Sequence, residues 1–156
     1  MLKSLIVLSY EKALDFNPED YGKTAVIRIS SKDFTPLKYQ NKFEDVLELI
    51  FLDITDEDFY RFSIEEIENL KISCPNPYPI STYQVEQIIR FIYKNLKKID
   101  TMLIHCDAGV SRSPAVAYFI AKHFLKDKNL ANKFLRDYLP NETVIKRLED
   151  TINNLS

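Results

Sequence analysis

The run His105-Cys106-Asp107-Ala108-Gly109-Val110-Ser111-Arg112-Ser113-Pro114 constrains this chain more than any other stretch. Before it, Thr101-Met102-Leu103-Ile104 is apolar and reads as a buried strand. After it, Ala115-Val116-Ala117-Tyr118-Phe119-Ile120 reads as part of a helix from about Ser113 to Leu125. The run therefore turns a strand into a helix and sets a thiol at the helix N-terminus, beside the fixed cation of Arg112. An anion binds at such a place, and a thiol there gives up its proton more readily. Gly22 and Gly109 are the only glycines in 156 residues. One of them falls inside this loop, at a backbone position that needs no side chain.

Upstream, Ser4–Ser9, Ala25–Ser30 and Leu47–Leu52 are short and rich in Ile, Val, Leu and Phe, the composition of strands. Tyr21-Gly22-Lys23 reads as a turn between the first two, and Asp33–Asn41 as a loop. Asp53–Ile80 reads as irregular, acidic at its start (Asp53, Asp56, Glu57, Asp58), with room for a short helix over Ser63–Leu70. It ends in Cys74-Pro75-Asn76-Pro77-Tyr78-Pro79, whose prolines exclude regular structure. Ser81 and Gln84 form a capping box, and Ile88, Phe91, Ile92, Leu96 and Ile99 follow at helical spacing. Further helices are predicted over Leu130–Leu139 and after Pro140-Asn141, the last with Val144, Leu148, Ile152 and Leu155 on one stripe. Strands first, then alternation, then helices predict an α/β fold of three layers. Its centre is a mostly parallel sheet of about four or five strands, flanked by helices. In such sheets ligands bind at the carboxyl ends of the strands, where Cys106 lies. The length implies one domain over residues 1–156.

Apolar residues make up 46%, charged residues 28%, and the formal charge is −2. That balance carries no electrostatic footprint for nucleic acid or an anionic membrane. No apolar run reaches spanning length, and the first residues read as a strand rather than a signal peptide. Two cysteines, Cys74 and Cys106, are no disulfide framework, and a reducing, cytoplasmic setting fits them better.

The chemistry follows from the loop. Backbone N–H groups from Asp107 to Arg112 would curl into a nest of donors, with Gly109 at its tightest point. Arg112 offers a planar fork to two oxygens of a tetrahedral anion. A phosphate held there faces the Cys106 sulfur, which attacks in line to form a phosphocysteine. The leaving oxygen needs a proton, and the same acid can later activate water. His105 and His123 are the only histidines, and His105 points away from the pocket if Cys106 points into it. A carboxyl must serve. Asp53, at the end of the Leu47–Leu52 strand, is the best candidate, with Asp56 and Asp58 as alternatives. The Ser113 hydroxyl would stabilise the thiolate as attacking and as leaving group.

The passage His-Cys-Asp-Ala-Gly-Val-Ser-Arg-Ser-Pro-Ala-Val-Ala resembles the cysteine-dependent protein phosphatases, and most of all their compact dual-specificity and prokaryotic or viral tyrosine-specific members. The resemblance is strongest over Thr101–Ala121 and extends to Asp53 and to Pro140-Asn141. It implies Cys106 as nucleophile and Arg112 as phosphate binder. Asp107, Ala108, Gly109, Val110 and Ser111 would form the phosphate loop, Ser113 would assist thiolate departure, and His105 would orient the loop from behind. Asp53 carries over as general acid, although the Asp53–Ser81 stretch is longer than in the smallest members.

The expected activity is hydrolysis of protein phosphotyrosine, with phosphoserine and phosphothreonine as further substrates, by a monomer that needs no metal and no organic cofactor. A phosphoinositide, a nucleotide or an RNA 5′-phosphate is the alternative substrate class. The loop's variable positions, Asp107, Ala108, Val110 and Ser111, hold no cation for extra phosphates, although Lys71 or Arg61 at the rim could compensate. A phosphopeptide-binding module without turnover is the other alternative. Cys74 reads as a loop residue, with protection of Cys106 by disulfide formation as its functional alternative.

Overall fold

The computed structural model describes residues 1–155. Four strands form one sheet: β1 (Ser4–Ser9), β2 (Thr24–Ser30), β3 (Asp45–Ile50) and β4 (Thr101–Cys106). Their order is β1-β4-β2-β3 and every pairing is parallel. The central pair, β4 and β2, is buried throughout, as parallel strands covered on both faces are.

The two faces are covered unequally. Ala25, Ile27, Ile29, Met102, Ile104 and Cys106 point to one face and join the main core. Helices α4 (Thr82–Asn95), α5 (Arg112–His123), α6 (Lys128–Asp137) and α7 (Glu142–Asn154) supply the rest of it. The amphipathic pattern of α4 is realised, with Val85, Ile88, Ile89, Phe91 and Ile92 buried. Each such side chain contributes about 1.5–3 kcal/mol of burial. The other face carries a thin layer: the short helix α1 (Tyr10–Leu14) and the segment leading to β3, packed on Val26 and Leu103 through Ala13, Leu37 and Phe43.

The Asp53–Ile80 stretch departs from the irregular reading. It holds two helices: α2 (Asp56–Arg61), which was not expected, and α3 (Ile64–Ser73), where a short helix over Ser63–Leu70 was expected. Both start on capping boxes, Thr55 with Asp58 and Ser63 with Glu66. Neither buries a residue, so no apolar stripe announces them. The third strand also shifts, from Leu47–Leu52 to Asp45–Ile50. Phe51 and Leu52 stay buried, but the Leu52 N–H donates to the Tyr78 carbonyl (3.0 Å) rather than to β2. Asp53 therefore lies on a connection three residues past the strand. Helix α6 begins at Lys128 instead of Leu130 because the Asp127 carboxylate accepts from the Leu130 N–H.

Candidate active site

Strand β4 delivers Cys106 at its carboxyl end, and α5 starts at Arg112. The loop between them nests on the end of β1. At Gly109 (φ +73°) a Cβ would stand 2.7 Å from the Ser9 nitrogen and 2.8 Å from the Leu8 carbonyl carbon, so a side chain would push the loop off the strand. The loop carbonyls are bound from outside. Asp107 O accepts from Tyr10 N–H, Val110 O from Leu139 N–H, and Ser111 O from Asn141 N–H, each at 3.1 Å. The N–H groups of Ala108, Val110, Ser111 and Arg112 meet no acceptor among the described residues. An anion takes such donors at a helix start.

Cys106 is 2% exposed. Its Sγ accepts from the Gly109 N–H at 3.3 Å and lies 3.1 Å from Ser113 Oγ. Both contacts suit a sulfur that carries negative charge. Arg112, 4% exposed, is held by three neighbours. Nη1 donates to the Phe51 carbonyl (2.7 Å) and to Ser31 Oγ (3.0 Å), and Nη2 donates to Asp107 Oδ2 (2.8 Å). Its Nε is buried and meets no acceptor among the described residues.

Asp107 shares its Oδ2 between Arg112 and Ser31 Oγ (2.8 Å). Partial burial pushes its pKa up. The hydrogen bonds from Arg112 and Ser31, with the guanidinium charge, outweigh that and leave it below the ordinary carboxylate value.

Asp53 faces the loop. Its Oδ1 accepts from Ser111 Oγ (2.7 Å) and from Asn141 Nδ2 (2.9 Å). Asn141 is also the N-cap of α7, its Oδ1 accepting from the Val144 N–H, so the start of that helix fixes the acidic side chain. Asp53, Cys106, Asp107, Ala108, Val110, Ser111 and Arg112 line one cavity of about 280 Å³, with Leu139 at its wall.

The other acidic candidates are engaged elsewhere. Asp56 pairs with Arg147 (2.6 Å) on α7, and Asp58 closes the capping box of α2. Lys71 pairs with Glu68 along α3, and neither Lys71 nor Arg61 lines the cavity. Cys74 caps the C-terminus of α3 away from that cavity, and both cysteines are free.

His105 precedes Cys106 on β4 and is wholly buried. Burial first, and the Arg28 cation second, lower its pKa to about 4. Sequence reasoning missed Ser31, Leu139, Arg28 and the role of Asn141. Asn141 alone had a visible signal, a capping side chain after Pro140.

No family model matches the chain, and neither does any curated protein. Solved structures do. The human tyrosine phosphatase-like serine/threonine/tyrosine-interacting protein superposes with a TM-score of 0.62 at 20% identity, over 97% of this chain and 93% of that one. Human DUSP28 gives 0.62 at 15% identity, over 97% and 95%. PTPMT1, solved in complex with PI(5)P, gives 0.58 at 12% identity, over 97% and 92%. Over nearly its whole length the chain has the fold of the cysteine-dependent tyrosine and dual-specificity phosphatases.

Proposed function

We propose that residues 1–156 form one phosphatase domain that hydrolyses phosphate monoesters, chiefly phosphotyrosine in proteins, through a phosphocysteine. The observation that carries this reading is Arg112. A buried guanidinium with Nη1 and part of Nη2 satisfied, and Nε unpaired, costs free energy until an anion takes the open edge. Nε and Nη2 share the two-pronged edge of the guanidinium, the edge that matches two phosphate oxygens.

In the first step the Cys106 thiolate attacks phosphorus and the ester P–O bond breaks. Asp53, protonated on Oδ2, gives its proton to the leaving oxygen. In the second, water attacks the phosphocysteine, Asp53 takes the water's proton and the S–P bond breaks. Ser113 donates to the departing thiolate. Arginine and backbone N–H groups carry the developing charge, so the chemistry calls for no metal or organic cofactor.

The Asp107 carboxylate on the rim, and the lack of lysine in the loop, favour singly phosphorylated substrates over phosphoinositides. Among the described residues, no helix is long and apolar enough to cross a membrane. The reading takes the protein as a cytoplasmic monomer that meets its substrates in solution.

The test compares wild type with Cys106→Ser on phosphotyrosine and phosphothreonine peptides. Cys106→Ser is expected to lose at least about 10³-fold in kcat while still binding the phosphotyrosine peptide. Turnover retained without the sulfur would exclude the phosphocysteine. Tight peptide binding by a wild type that releases no phosphate would favour the binding-module reading.

A further inference from the structure

Arg28 sits in β2, wholly buried between the apolar residues Ile27 and Ile29. A buried guanidinium is costly, and an apolar side chain of similar size is often neutral or stabilising in its place. The position therefore calls for an explanation beyond packing. Arg28 lies in register with His105 on one side and Glu48 on the other. Its Nε donates to His105 Nε2 (2.9 Å), Nη1 to Glu48 Oε2 (3.0 Å) and Nη2 to the Thr35 carbonyl (2.7 Å). The rings of Tyr10 and Phe34 lie over its guanidinium carbon at 5.5 and 5.0 Å.

Arginine only donates. Facing it, His105 Nε2 has to accept, so the ring proton sits on Nδ1, directed at the Cys106 carbonyl (3.4 Å). The other neighbours of the ring do not compete for Nε2. Tyr10 from α1 meets it edge-on at 5.2 Å, β1 places Leu8 opposite, and the Asp107 carboxylate is engaged with Arg112 and Ser31. The same guanidinium holds the Thr35 end of the segment whose other end, Ser31, contacts Arg112 and Asp107. One buried residue thus ties the backbone behind the nucleophile to the segment that braces the phosphate binder.

We propose that Arg28 is a positioning residue for the phosphate loop: it locks His105 as the neutral Nδ1–H tautomer, anchoring the Cys106 carbonyl, and fixes the Ser31–Thr35 segment against the loop. It touches neither substrate nor the reacting atoms. The inference rests on the phosphatase reading for its catalytic consequence, but its structural content stands apart. The low pKa of His105 agrees with it, because a proton on Nε2 would face the guanidinium.

The experiment is ¹⁵N–¹H NMR of histidine-labelled protein across roughly pH 5–8, where an unconstrained imidazole titrates. Wild type is expected to show His105 with a proton on Nδ1 only and no titration over that range. A proton on Nε2, or titration near the ordinary value, overturns the proposal, and this needs no variant. In Arg28→Met the Nε2–H form or a titrating ring should appear. There kcat should fall about ten- to a hundredfold with KM little changed, as small displacements of reacting groups produce. Arg28→Lys, which keeps a cationic donor, should recover most of both. A folded Arg28→Met with His105 still locked and kcat unchanged also overturns it. A locked His105 in a wild type without phosphatase activity would defeat the functional reading and leave the clamp intact.

Discussion

At the scale of single residues, the proposed mechanism separates groups that hold from groups that react. Arg112 does both, because its donors are divided between the protein and an open edge. Asp53 divides its oxygens in the same way. Oδ1 is taken by Ser111 and Asn141, and the proposed acid role falls to Oδ2. Asp53→Asn should therefore slow a phosphotyrosine peptide about 10²–10⁴-fold, the usual worth of a positioned acid. An aryl phosphate with an activated, weakly basic leaving group needs that proton less and should lose far less. Measuring kcat on both esters checks this, and equal losses would remove Asp53 from the acid role. Cys106, Arg112 and Ser113 were nominated from the sequence because they sit at neighbouring positions of one loop, and the structure places them together there. Ser31 and Arg28 were not, because each acts from another strand, and only the register of β2 beside β4 brings them to the loop.

Elements were legible in proportion to what they bury. Helix α4 has a continuous stripe and a capping box, and the structure starts it at the residue after Ser81. Helices α2 and α3 satisfy their ends with capping boxes but leave Tyr60, Ile64 and Ile72 more than 80% exposed. Such helices lean on local hydrogen bonds and a few edge contacts such as Phe59 on Tyr78. Native-state hydrogen exchange should find the amides of α2 and α3 opening first, several kcal/mol below the global limit, and those of β2 and β4 last. Exchange of α3 as slow as β4 would mean that another surface covers it. The third strand was misplaced by two residues for a related reason. Phe51 and Leu52 are as apolar as strand residues but serve the core and the carbonyl that holds Arg112.

Across the whole molecule, fold class and the parallel sheet followed from the alternation of elements, whereas the thinness of one layer did not. The layer over Val26 and Leu103 is mostly connection, and connections have no period to read. That layer covers buried His105 and Arg28, and the burial of His105 ties stability to pH. His105 takes a proton near 6.5 when unfolded and only near 4 when folded. Its contribution is complete above about pH 6.5 and drains as pH falls towards about 4, by up to about 3 kcal/mol. Urea unfolding across that window should show this slope in wild type and a shallower one in His105→Asn. A further consequence comes from the nesting of the Gly109 loop on β1. Strand β1 has β4 as its one neighbour, and the two lie some hundred residues apart along the chain. During synthesis on the ribosome, Ser4–Ser9 waits unpaired until Thr101–Cys106 has emerged. The seat of the loop and the loop itself are then completed together, so a nascent chain halted before that point can pair β2 with β3 but lacks both strand pairings of β4 and the loop that they seat.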